Sequence, residues 1–174
     1  MYARIMAALC IAIGLVLPFF VGQVPIFTKA LLPMHIPVLI SGFILGPRYG
    51  MQVGFILPLL RSFLFSLPVL YPSAIAMAFE LAAYGAIAGY AEQKWRTKGW
   101  RGLYLSLICA MLGGRIIWGL AQWLLLGFSD RPFTLPLFWA GAFLHAWPGI
   151  VLQLVMIPPV VQLLRQYIIT RRIL

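Results

Sequence analysis

Acidic side chains are scarce in this chain. Three of its 174 residues are Asp or Glu, against thirteen Lys or Arg, for a formal net charge of +10. That is too few carboxylates for the metal-dependent lipid enzymes. A single acidic residue, Glu80, falls inside an apolar span, which gives little basis for ion-driven antiport. Cysteine is equally sparse. Cys10 and Cys109 sit in separate apolar stretches, with neither the spacing of zinc ligands nor the setting of a disulfide, and read as small core residues. No phosphate-binding glycine loop with a lysine occurs, so any ATP must be used elsewhere. Low-complexity segments and clear internal repeats are also missing, which argues against an inverted-repeat architecture.

What the chain has instead is apolar bulk. Hydrophobic residues make up 63% and charged ones 9%, and the mean hydropathy is +1.00. A soluble domain of this size could not hide that much apolar surface. The basic residues form no water-facing stripe but fall between apolar runs, so topology accounts for them and nucleic acid is excluded as a partner. Residues 1–21 resemble a signal peptide in having Arg4 ahead of an apolar run. Pro18, Phe19 and Phe20 follow in place of a small-residue cleavage site, so the segment is read as the first span.

The pattern predicts an all-α polytopic membrane protein, one compact bundle of six transmembrane helices over residues 1–174. The expected spans are 3–21, 34–46, 49–68, 72–91, 102–127 and 136–164. The second is too short to cross upright, and Pro33 and Pro37 at its start suggest a kink or a re-entrant turn. With six crossings, Arg4, Arg48, Lys94, Arg96, Lys98, Arg101, Arg165, Arg171 and Arg172 share one side, and only Lys29 and Arg131 face the other. The positive-inside rule then puts both termini in the cytoplasm. Small residues recur at every fourth position in three rows: Gly42, Gly46, Gly50 and Gly54; Ala74, Ala78, Ala82 and Ala86; and Ala8 with Ala12. Such rows let helices approach closely inside a bundle, and a row facing lipid would be a docking surface.

Within the spans, Arg61 and Glu80 fall at similar depths on neighbouring helices, roughly 10 and 12 Å below the outer ends at about 1.5 Å per residue. An ion pair between them is one expectation and a shared ligand site is the other. Arg115, Trp118 and Gln122 follow the i, i+3, i+7 spacing of one helix face. Glu80 and Tyr84 are one turn apart, and His35 and His145 fall in the outer half. Two arginines against one glutamate leave a net positive site, and guanidinium suits a carboxylate or phosphate. The aromatics would meet the apolar part of such a ligand.

Residues 31–89 resemble the substrate-binding S component of energy-coupling factor (ECF) vitamin transporters. The resemblance is carried by PMHIPV at 33–38, PLLRS at 58–62 and YPSAIAMAFELAAYG at 71–85. It implies a small six-helix protein of the prokaryotic cytoplasmic membrane that binds one micronutrient from outside. Such a protein is not an enzyme, holds no cofactor, and docks onto a transmembrane coupling subunit with two ABC ATPase subunits. It further implies that Ala8 and Ala12 belong to the docking face and that the Gly22–Leu32 loop, with Lys29, caps the site. A likeness to the pantothenate and folate branch, with the positive balance of Arg61 and Arg115 over Glu80, suggests pantothenate or another small anionic vitamin. The expected substrate contacts are Arg61, Glu80, Tyr84, Arg115, Trp118, Gln122, His145 and His35. The rivals are an ion-coupled secondary transporter with Glu80 as its proton site, an intramembrane enzyme and a structural membrane subunit. For the enzyme, no nucleophile stands beside Glu80 and His145 in the pattern. Buried arginines count against a purely structural subunit.

Overall fold

The computed structural model describes residues 2–20, 31–127, 134–144 and 146–173, with side chains as far as Tyr167. Its regular elements are α1 (Tyr2–Phe20), α2 (His35–Leu45), α3 (Pro47–Phe65), α4 (Ile75–Trp95), α5 (Gly99–Gly127), α6 (Leu135–Trp139) and α7 (Trp147–Ile173). A π-helical turn, Leu70–Ala74, kinked by extended backbone at Tyr71, leads into α4, and another, Ala140–Leu144, follows α6. Thus the expected sixth span is built from two helices and a turn, and α7 runs on past residue 164. Among the described residues, three stretches are long and apolar enough to cross a membrane: Tyr2–Phe20, Leu70–Gly127 and Trp147–Tyr167. At 11 residues, α2 is too short to do so upright.

A tight turn at Gly46 sets the centre of the bundle. Gly46 has φ +89°, open to glycine and strained for other residues. Pro47 then starts α3 at the first-turn position, where its missing N–H costs nothing. The turn folds α3 back along α2, and both lie on α4. A Cβ on Gly42 would come within 2.5 Å of the Gly85 carbonyl, and one on Gly50 would meet the same oxygen. Gly54 meets the backbone at Leu81, and Gly89 meets Pro47. So the glycine row packs inside the bundle, and three backbones touch where apolar packing must replace the hydrophobic drive missing in lipid.

These contacts also fix the register. On antiparallel α3 and α4, Gly54 faces Leu81, Gly50 faces Gly85 and Pro47 faces Gly89. Helix α4 is central, packed by α2, α3 and α5. Helix α5 returns antiparallel along it, with Gly114 against Tyr84 and Gly102 against Trp95. Helix α1 runs parallel to α3, with Gly14 against Leu57. Along α1 the buried residues are Cys10, Gly14 and Pro18. The opposite face exposes Ile5, Leu9, Ile13 and Val16, with Ala8 and Ala12 exposed among them.

One end of the bundle is basic. The helix directions put Arg4, Arg48, Lys94, Arg96, Lys98, Arg101 and Arg165 at the end that holds the Gly46 turn. There the Glu92 carboxylate pairs with Arg165 and ties α4 to α7. A cavity of about 390 Å³ beside it is lined by Gly42–Gly46, Glu92, Gln93, Arg96 and Arg165.

The three-helix crossing yields a direct expectation. Gly85→Ala drives a methyl into the Gly50 backbone and is expected to cost about 1–3 kcal/mol. Gly127→Ala meets no atom within 4 Å and should stay within about 0.5 kcal/mol of the parent. Unfolding in detergent measures both. Equal stability of the two variants would mean that the crossing is not tightly packed.

Candidate functional site

Inside the other half of the bundle, three helices bring a buried polar cluster together. Glu80 of α4 is 1% exposed. Its Oε1 accepts a hydrogen bond from Nη1 of Arg115 on α5 at 2.8 Å. Nε2 of His35, at the start of α2, stands 3.5 Å from the same oxygen. Tyr84, one turn along α4, presents its ring edge-on to His35 with centroids 5.0 Å apart. The Tyr84 ring fits this closely because Gly114 offers it no side chain.

Glu80 therefore pairs with Arg115, and the expected pair with Arg61 is not formed. Register explains the correction. Since Gly54 faces Leu81 and Gly50 faces Gly85, Arg61 comes level with Ala74, six residues or about 9 Å along α4 from Glu80. The crossover through the π-helical turn takes up chain that even depth-counting assigns to the spans. Arg61 also continues the row of Leu57, which packs on α1. Its Nη1 donates to the Leu15 carbonyl at 2.7 Å. The guanidinium lies over the rings of Phe19 and Phe65, 5.1 and 5.5 Å from their centroids. A carbonyl and two aromatic faces stabilise the cation there, and it fastens the end of α1 to α3.

The positive balance expected of Arg61 and Arg115 together therefore does not arise at one place. Arg115 instead has an unused edge. It is 5% exposed, Nη1 is engaged by Glu80, and Nε and Nη2 are buried without a partner. Those two N–H groups lie on one side of the planar guanidinium and are spaced for the two oxygens of a carboxylate. Leaving them unbonded in a membrane interior costs stability. Nδ1 of His35 is also buried without a partner.

The remaining expected residues divide. Trp118, one turn along α5 from Arg115, packs on Phe138 at 6.2 Å between centroids and against Gly141. Gln122 is half-buried, and its Oε1 is buried without a partner. His145, Lys29, Arg131 and most of the Gly22–Leu32 loop lie outside the described residues. Tyr71 was not singled out by the sequence. Its hydroxyl donates to the Leu125 carbonyl and ties the approach to α4 to the last turn of α5. Gln153 of α7 was missed too. It is 0% exposed, and both its amide atoms lack a partner. A lone glutamine amid Leu152, Leu154 and Val155 was the available signal.

Among known proteins, the family model described as "ECF transporter, substrate-specific component" matches residues 5–161. The chain belongs to that family. No curated protein and no solved structure matches it. As an S component it is a multi-pass protein of the cytoplasmic membrane and a transporter subunit, not an enzyme. It works with an energising module. The match spans nearly all the helices, including the pair and both π-helical turns.

The ion pair sets a stability expectation for this S component. Glu80→Leu leaves the Arg115 charge buried without its carboxylate and is expected to destabilise by about 3–5 kcal/mol. Adding Arg115→Met should recover most of that loss, because two apolar groups replace two partners. Denaturation in detergent of the single and double variants measures the coupling. Additive losses would show that the two residues do not interact.

Proposed function

We propose that the whole chain is one six-helix membrane domain that captures a small anionic vitamin, pantothenate or one of similar size and charge, from outside the cell. The observation that carries the reading is the Nε–Nη2 edge of Arg115, buried and unpartnered while Nη1 is held by Glu80. Glu80 and His35 act as positioning groups, since a guanidinium fixed along one edge presents the other in a set direction. The vitamin's carboxylate completes the hydrogen bonding of Arg115. Tyr84 and Trp118 offer apolar contact to its carbon skeleton. Arg61, bound to α1, does not touch the vitamin on this reading and holds the docking helix in place.

The basic end, with both termini, faces the cytoplasm, in line with the clustering of Arg48, Lys94, Arg96, Lys98, Arg101 and Arg165. The energising module consists of a transmembrane coupling subunit and two ATP-binding-cassette subunits. Ala8 and Ala12, exposed on the lipid-facing side of α1, form a shallow strip on which a helix of the coupling subunit can pack.

Calorimetry on the purified protein, without ATP or partners, tests the reading against a panel of water-soluble vitamins. Tight binding of a carboxylate-bearing vitamin is expected, weakened about tenfold or more in Arg115→Ala and little changed in Arg61→Ala. Tight binding of only a neutral or cationic vitamin would contradict it. Docking has its own expected outcome. Ala8→Trp and Ala12→Trp should spare binding and block vitamin uptake, whereas normal uptake would remove α1 from the docking face.

A further inference from the structure

The polar group on α7 adds something the Arg115 reading does not contain. Gln153 is fully buried, and neither its amide oxygen nor its nitrogen has a hydrogen-bond partner. A primary amide can accept two hydrogen bonds and donate two, and to bury one unused is costly in any apolar interior. Leucine or methionine would fill the same space at no such cost. The residue is not at a frayed or lipid-facing position either. Ile157, one turn along α7, is fully buried in the cluster that holds Val38, Leu39 and Tyr84, and Ile150 and Leu154 pack against that cluster.

The depth of Gln153 follows from the far end of the bundle. Helices α4 and α7 run in the same direction and are tied where Glu92 pairs with Arg165. Gln153 precedes Arg165 by twelve residues, as Glu80 precedes Glu92. At an equal rise per residue, Gln153 comes level with Glu80, about 18 Å from the tie. Helix α7 packs against both α2, which carries His35, and α5, which carries Arg115. So α2, α5 and α7 each bring unspent polar atoms to one level of the bundle: His35 Nδ1, Arg115 Nε and Nη2, and the Gln153 amide.

From this we infer that Gln153 is a substrate-contacting residue that sets specificity, and that the ligand carries a neutral hydrogen-bonding group, an amide, ureide or hydroxyl, beside its carboxylate. The inference rests on the proposed capture of an anionic vitamin and narrows it. Arg115 takes the carboxylate. Gln153 both donates to and accepts from the neutral group. A carboxylate with no such group leaves the buried amide unsatisfied in the complex, and a site built to hydrogen-bond a ligand group rejects analogues that lack it.

Calorimetry with pantothenate and biotin, which carry amide or ureide groups, and with nicotinate, which carries neither, tests this on the parent protein, Gln153→Met and Gln153→Leu. The parent is expected to bind pantothenate or biotin and to discriminate against nicotinate. Both variants should lose about tenfold or more in affinity for the preferred vitamin, while their ligand-free thermal midpoints equal or exceed the parent's. That split separates a ligand contact from a merely structural amide. Parent-like affinity in the variants overturns the role of Gln153 and leaves the anionic-vitamin reading standing. Failure of both variants to fold overturns it too, since the amide would then be structural. A parent that binds none of the three overturns the narrowed substrate class. If it also binds no other carboxylate-bearing vitamin, the underlying reading falls with it.

Discussion

The bond between Glu80 and Arg115 is the interaction on which the rest of the interior depends. Two charges in a membrane bundle are tolerable only when each satisfies the other and the backbone around them is closed to lipid. Here the pair bridges α4 and α5 at 2.8 Å, and His35 brings α2 to the same carboxylate oxygen. Helices that enclose such a pair have little freedom to slide, because a one-residue shift would strand a charge. The pair uses only Nη1 of the guanidinium, so the constraint that holds the bundle also leaves Nε and Nη2 buried and unbonded.

The glycines make that geometry reachable. Glu80 can stand among three helices because Gly42, Gly50, Gly54 and Gly85 let α2, α3 and α4 touch backbone to backbone. Gly114 does the same for the Tyr84 ring. Close packing below the site and unspent polarity within it are complementary. The first provides rigidity, and the second leaves hydrogen-bonding capacity unspent. Arg61 serves a different purpose: under Phe19 and Phe65 it holds α1, which carries Ala8 and Ala12, against α3. Charge is thus divided between Arg115, held on the Glu80 carboxylate, and Arg61, which braces α1 against α3.

Much of this was legible in the chain. Helical spans, the short second helix and the glycine row follow from composition and four-residue spacing, which are local properties. The partner of Glu80 was not. Depth-counting treats each span as upright and each crossover as free of length, so it brought Arg61 level with Glu80. The turn through Leu70–Ala74 moves the register by about 9 Å. Arg115 was recognised as a polar intruder, but its carboxylate could be named only once the glycine contacts had fixed the alignment of α4 with α5. Glu92 fell just beyond the fourth expected span, although α4 continues to Trp95 and buries it against Arg165. Gln153 passed unnoticed because one uncharged residue barely lowers hydropathy, yet a buried amide without a partner is costly.

A crystal structure of the protein grown with a carboxylate-bearing vitamin is the most direct measurement. The carboxylate oxygens are expected at about 2.7–2.9 Å from Nε and Nη2 of Arg115, with Nη1 still on Glu80. A carboxylate seated on Arg61, or a bound vitamin that makes no contact with Arg115, would contradict it.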